Sequence, residues 1–186
     1  VDASLQRFPD RRVRVATSLD RGDIRDIHLR AFPESENQLV AKMAESLLDE
    51  VTDPETITLV AEAVGEVVGH IVFSPVRAAT DKHWLGYILA PLGVMPEYQK
   101  TGIGSSLVNG GIERLSAKKI NVLFVYGDPR YYGRFGFSVE AATPYIPPYE
   151  LKYPFGWQAR LMDATDRHIQ PVRLSCVPSL SDPALW

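Results

Sequence analysis

Two short stretches of this 186-residue chain carry residue types that could do chemistry. The first is Gln99-Lys100-Thr101-Gly102-Ile103-Gly104-Ser105, which follows an apolar run and opens a helical pattern. Backbone N–H groups at a helix start have no partner inside the helix, and the macrodipole adds about half a positive charge there. Glycines let a phosphate approach without a Cβ in the way. Thr101, Ser105 and Ser106 offer hydroxyls and Lys100 a cation. The stretch reads as an anion cradle suited to a diphosphate, or as a tight strand-to-helix turn whose glycines serve packing alone. It is not a P-loop, because no Gly-Lys-Ser/Thr is present. The three-glycine dinucleotide fingerprint also fails, because Leu107 stands where its third glycine belongs. The second stretch is Tyr132-Gly133-Arg134-Phe135-Gly136-Phe137. A phenol near pKa 10 stays protonated at neutral pH and can donate to a leaving group, although an aromatic can equally anchor a short helix.

The elements that must position these residues follow from periodicity. Arg12 to Ala16 alternates polar and apolar, as a half-buried strand does. Ser18 and Asp20 offer caps for a helix that Pro33 stops near Phe32. Leu39, Val40, Met43, Ala44, Leu47, Leu48 and Val51 form one apolar face of a second helix. Ile57–Ala63 and Val67–Ser74 read as strands joined by Val64-Gly65-Glu66, a hairpin. Trp84–Val94 is a third apolar run, broken by Pro91 and Gly93, where a bulge or splay is expected. A helix from Gly102 to about Ala117, a buried strand at Ile120–Tyr126, a short helix after Asp128-Pro129, a strand from Phe137 and another at Trp157–Met162 complete the order. The expected class is α/β (α+β): β-α-α-β-β-β-α-β-α-β plus C-terminal strands, in a mixed central sheet flanked by helices.

Taken together, these features resemble one family. Gln99-x-x-Gly102-x-Gly104 is similar to the Gln/Arg-x-x-Gly-x-Gly/Ala element with which GNAT superfamily N-acetyltransferases hold the coenzyme A pyrophosphate. Leu92-Gly93-Val94-Met95-Pro96-Glu97-Tyr98 resembles the family's splayed fourth strand, and Val67-Val68-Gly69-His70-Ile71 its third. Tyr132-Gly133-Arg134-Phe135-Gly136-Phe137 resembles its closing Tyr-x-Lys/Arg-x-Gly-Phe element. The likeness covers about residues 13–140, and Gly-Asp-Pro-x-Tyr-Tyr further resembles a bacterial branch of predicted acetyltransferases. The implied organisation is one N-acetyltransferase domain over residues 1–186, with 141–186 as an elaboration.

The resemblance implies transfer of an acetyl group from acetyl-CoA, as cosubstrate, to a primary amine by direct attack in a ternary complex. It implies Leu92, Gly93 and Val94 along the pantetheine, with the Val94 N–H as oxyanion donor and Tyr132 as general acid. Gln99, Lys100, Thr101, Gly102, Ile103, Gly104 and Ser105 would hold the cofactor. Asp128, before Pro129, fits a helix N-cap better than a catalytic role. No base stands out: Ile88-Leu89-Ala90-Pro91 has no histidine, His83 lies near its strand's start, and His70 fits a structural place in the core. Glu34 and Glu36, in the helix–helix connection, read first as solvated carboxylates. Cys176, near the end of the chain, disfavours an acyl-enzyme route. The alternative is an inactive acyl-CoA-binding sensor or interaction module, which the missing base would favour. The acceptor that the resemblance implies is a small-molecule amine or a peptide or protein amine.

Composition bounds the rest. Lys and Arg number 20 and Asp and Glu 23, for a net charge of −3, and 45% of residues are hydrophobic. That excludes a disordered chain and a nucleic-acid-coating polycation. One cysteine excludes a disulfide framework or cysteine-rich zinc module, and no metal is expected. No run reaches the roughly 20 apolar residues of a membrane span and no leader is read, so a cytoplasmic protein without membrane or nucleic-acid partners is expected. Seven of 14 prolines follow Phe137, and nine of 18 aromatics lie between Tyr131 and Trp157. Residues 145–157 are therefore expected to form a substrate wall or lid, or a homodimer contact.

Overall fold

The alternation in Arg11–Val15 becomes strand β1, which pairs antiparallel with β2 (Ile57–Ala63) in the register Val13↔Ala61. The computed structural model describes residues 10–79, 81–166, 168 and 170–186. Between β1 and β2 run helices α1 (Arg21–Ala31) and α2 (Asn37–Asp49). Then come β3 (Glu66–Ala78), β4 (Asp81–Val94), α3 (Ile103–Ser116), β5 (Val122–Tyr126), α4 (Pro129–Tyr132), α5 (Val139–Ala142), β6 (Tyr145–Ile146), β7 (Trp157–Leu161) and β8 (Val172–Ser175). The strand order is β1-β2-β3-β4-β5-β7, with β8 pairing β3 and β6. This is the expected α/β class, with a mixed, mostly antiparallel sheet. β4 and β5 run parallel, and β7 joins β5 antiparallel.

The residues fall into two compact units. Among the described residues, the first holds 10–51, Thr56–Val72 and Pro91–Ile112. Its core includes Ile24, Ala44 and Val60, against which Ala16, Leu48 and Val67 pack. The β2–β3 turn has Val64 and Gly65 both at positive φ, 54° and 78°, the geometry that suits a two-residue hairpin to the strand twist. The second unit holds Thr52–Glu55, Phe73–Ala90 and Glu113–Trp186. Aromatic contacts dominate it: Phe124 stacks on Trp157 at 5.1 Å, and Tyr145 meets the edge of Phe124 at 5.0 Å.

Four expectations are corrected. Helix α1 is entered through a 3-10 turn capped by Thr17, while the Asp20 carboxylate accepts from the Thr17 N–H (2.7 Å) and from both Nη atoms of Arg14 (2.8 Å each). Val51, assigned to the apolar face of α2, lies beyond the helix end and is 97% exposed. β3 and β4 are longer than the apolar runs that announced them. The strand expected from Phe137 is reduced to one antiparallel bridge, Ser138↔Ala159, and α5 follows at once: Ser138 Oγ accepts from the Ala141 N–H (3.1 Å), and the cap cuts a weak strand pattern short. Among the described residues no helix is long and apolar enough to cross a membrane.

Candidate active site

In the first unit, β4 gives way to a 3-10 turn at Pro96–Tyr98 and then to the glycine turn. Lys100 and Gly102 take positive φ values of 58° and 93°. A glycine tolerates this without strain, which explains residue 102. The Thr101 hydroxyl donates to the Tyr98 carbonyl (2.6 Å), so it braces the turn from inside and is not turned toward a ligand. Ile103 is buried through its side chain, so what it can offer a ligand is its backbone. The α3 ladder begins with the Ser106 N–H on the Gly102 carbonyl (3.0 Å), which leaves the N–H groups of the preceding turn outside the ladder. Gln99 and Lys100 are exposed, and Ser105 is half-buried.

Arg11, which sequence reasoning passed over, holds this turn from below. Its Nη1 donates to the Thr101 carbonyl at 2.6 Å and lies 3.3 Å from where a Cβ of residue 102 would stand. Ninety positions separate the two residues, and only the alternation of β1 hinted at which way Arg11 faces.

The strand before the turn is fixed at three points. The Met95 N–H donates to the Val68 carbonyl (2.9 Å), and Gln99 Nε2 donates to the Val94 carbonyl (3.1 Å). Gly93 is buried against α1, where an added Cβ would lie 2.8 Å from His28 Nδ1 and 3.0 Å from Ile27 Cγ2. Successive strand N–H groups point in opposite directions. With Met95 bonded toward β3, the Val94 N–H is turned away from β3.

In the second unit, the β4–β5 register runs from Gly86↔Val122 to Leu89↔Val125 among the described residues. It ends just before Pro91, which has no N–H to continue a ladder. The Gly127 N–H bonds the Gly156 carbonyl instead (2.9 Å). Asp128 then caps α4, its Oδ1 accepting from the Arg130 N–H (2.9 Å) with Pro129 at the first helical position, which is the structural role expected of it. The turn closes at Gly136, φ 83°. Tyr132 lies on the backbone of Gly127 and meets Phe137 edge-on at 5.9 Å. Loss of hydration raises its phenol pKa above the ordinary value, so the proton stays on at neutral pH. Tyr131 meets Tyr132 edge-on at 4.9 Å, and its ring lies under the Arg134 guanidinium at 4.2 Å.

The other residues weighed as reactive groups divide clearly. Glu34, Glu36 and His83 are exposed. Burial pushes the Cys176 thiol up to about 12, which leaves it neutral and a poor nucleophile. His70 is fully buried, as expected, but is paired with a second histidine, His28, at 2.8 Å. Burial lowers both pKa values, that of His28 to about 3. Ile146 to Leu151, with Pro154, Trp157 and Arg173, line an open cleft of about 570 Å³ in the second unit. Among the described residues no cluster of three or more His, Cys, Asp or Glu could hold a metal.

Residues 22–137 match the model of the acetyltransferase (GNAT) family. The chain belongs to that family. This acetyltransferase is 34% identical over 169 residues to YjhQ of Escherichia coli K12, an uncharacterized N-acetyltransferase, and the match covers 88% of each chain. It is 33% identical over 131 residues to YhbS of the same strain, covering 69% of this chain and 74% of that one. The crystal structure of the E. coli YhbS N-acetyltransferase in complex with CoA superposes with a TM-score of 0.76 at 26% identity, covering 91% of both chains. A GNAT acetyltransferase from Brucella melitensis in complex with acetyl-CoA gives 0.70 at 25% identity, covering 91% of this chain and 97% of that one.

Proposed function

We propose that this acetyltransferase moves an acetyl group from acetyl-CoA to a primary amine by direct attack in a ternary complex. The cosubstrate supplies the activated acyl group as a thioester. The chain's residues fit such a ligand. Gly102 leaves a turn free of side-chain bulk, with unladdered N–H groups and the exposed Lys100 to receive a diphosphate. In this reading Gln99, Lys100, Thr101, Gly102, Ile103, Gly104 and Ser105 form the cradle. Thr101 and Gln99 act largely by bracing, the one on Tyr98 and the other on Val94. Leu92, Gly93 and Val94 lie along the pantetheine.

The observation that carries the reading is the restraint of Val94. Its carbonyl is held by Gln99, its neighbour Met95 is bonded to Val68, and its own N–H is left facing away from β3. A fixed N–H donates to an acyl carbonyl oxygen without reorganising, which is where such donors lower a barrier most. Tyr132, with its raised phenol pKa, keeps the proton that a leaving thiolate needs. A thioester acyl group also needs no nucleophile from the protein, in keeping with the neutral thiol of Cys176.

The test has two stages. Calorimetric titration should show CoA and acetyl-CoA binding, and a panel of primary amines, aminoglycosides and peptide N-termini should release free CoA with at least one acceptor. Binding without release for any amine would favour an acyl-CoA sensor or interaction module. Absence of binding at millimolar CoA would overturn both readings.

A further inference from the structure

His28 sits on the buried face of α1 with Ile24 and Ile27, and His70 sits in β3; both are 0% exposed. His28 Nε2 and His70 Nδ1 are 2.8 Å apart, with the rings edge to face at 81°. Burial keeps both imidazoles neutral, so one N–H is shared between them and each ring retains one further nitrogen. Among the described residues neither His28 Nδ1 nor His70 Nε2 has a hydrogen-bond partner. Two apolar rings would fill this space without stranding two polar atoms, so stability alone does not account for the pair.

The geometry accounts for it through Gly93. The Nδ1 edge of His28 occupies the place a side chain at residue 93 would take, 2.8 Å from the position of its Cβ. On the opposite face of the sheet, Gly69, next to His70, lies under Ile103 and Leu107 of α3, and the Gly93 carbonyl is 3.5 Å from where its Cβ would stand. The strand at Gly93 therefore has an imidazole over one face and the bare backbone of Gly69 beside it in β3. Packing through a flexible side chain would allow this peptide to rock. A ring pinned by a hydrogen bond to the neighbouring strand does not.

We propose that the His28–His70 pair is a positioning device that fixes the Gly93–Val94 peptide, and with it the aim of the Val94 N–H toward the acyl carbonyl oxygen. This rests on the function proposed above. Neither histidine touches a reacting atom in this scheme, and both act through Gly93.

Three variants test it: His28→Asn, which cannot reach His70; His28→Gln, whose amide nitrogen can stand where Nε2 stands; and Gly93→Ala, which collides with the ring. Two readouts are taken. In the free protein, amide relaxation dispersion at Gly93 and Val94 should be quiet in wild type and in His28→Gln, and show microsecond-to-millisecond exchange in the other two. With cofactor, His28→Asn and Gly93→Ala should lose about tenfold or more in kcat, and in His28→Asn the Kd for CoA should change by less than about threefold, the pattern of an interaction made at the reacting centre. His28→Gln should recover most of the loss. The carbonyl signal of bound [1-13C]acetyl-CoA should move toward its free position in the two impaired variants. Quiet amides in His28→Asn, or wild-type kcat with only a lowered Tm, would overturn the inference. Wild type failing to bind CoA would overturn the proposed function instead, and the amide dynamics would still decide the role of the pair.

Discussion

The Tyr132 ring lies on the backbone of Gly127 so closely that a Cβ there would stand 2.5 Å from Tyr132 Cε2 and 3.1 Å from Cδ2. No alanine fits beneath the ring as it stands. Gly127→Ala should displace the phenol, at a cost of about 1–3 kcal/mol in stability. Turnover should fall by about tenfold or more while CoA affinity is kept. Tyr132→Phe retains the ring and loses only the hydroxyl, so turnover should drop by about a hundredfold with little change in Tm. Steady-state kinetics with parallel thermal scans separate the two effects. Full activity in Tyr132→Phe would remove this residue as the acid.

The glycine turn gives a prediction about affinity. At φ 93°, Gly102→Ala is strained by about 1–2 kcal/mol and also crowds Arg11. Arg11→Ala frees the Thr101 carbonyl that Nη1 holds at 2.6 Å. Both changes should weaken CoA binding, by about fivefold or more for Gly102→Ala, and leave kcat at saturating cofactor close to wild type, since uniform binding is what is lost. Calorimetry and KM for acetyl-CoA measure this. A fall in kcat with unchanged KM would contradict it.

Acid should destabilise the fold in two stages. Folded His28 titrates at about 3 because it is buried, whereas an unfolded imidazole takes its proton near 6.5. The unfolded state therefore binds more protons between these values. Stability from this residue is complete above pH 6.5 and declines by about 1.4 kcal/mol per pH unit toward pH 3. His70 acts in the same sense. Asp20, held at about 2 by the Arg14 hydrogen bonds, adds a lower stage: its contribution of about 2 kcal/mol is present above pH 4 and lost as pH falls through 2. Unfolding free energies from urea denaturation should fall by about 2 kcal/mol less between pH 7 and 5 in His28→Phe than in wild type. An equal fall in the two would mean that His28 is not neutral in the fold.

A fourth prediction concerns the second unit. Asp166 Oδ2 accepts from Trp84 Nε1 (2.9 Å) and from the Tyr145 hydroxyl (2.8 Å). Asp166→Ala leaves both donors unpaired and takes the carboxylate from His168, whose Nε2 lies 3.0 Å from Oδ1, at a cost of about 2–4 kcal/mol, more than Tyr145→Phe, which removes one donor and leaves the carboxylate with Trp84 and His168. Chemical denaturation monitored by tryptophan fluorescence ranks the two variants, and equal costs would show that the shared carboxylate does not couple them.

What could be read from the chain was local. The apolar period of α2, the Val64-Gly65 turn and the glycine turn are each encoded within a few residues, as is the Asp128-Pro129 cap. What escaped was set by residues distant in sequence: Arg11 and Thr101 lie 90 positions apart, His28 and His70 42. A histidine on an apolar helix face does not reveal which strand it will meet. The misread segment after Phe137 has a different cause. Its strand pattern was weak, and the Ser138 cap, a signal three residues long, was enough to make a helix.

Gln99 read first as a contact for the cofactor, yet its amide is engaged with the Val94 carbonyl. The residue that opens the diphosphate turn is thus also a strut for the peptide proposed to meet the reacting carbonyl. In the function proposed above, both ends of the bound cosubstrate would be felt through this one side chain, so a change that retunes the turn would be felt at the acyl end as well. In the same reading, diversification of this enzyme is freer in the proline- and aromatic-rich segment around Tyr149 than in the turn itself.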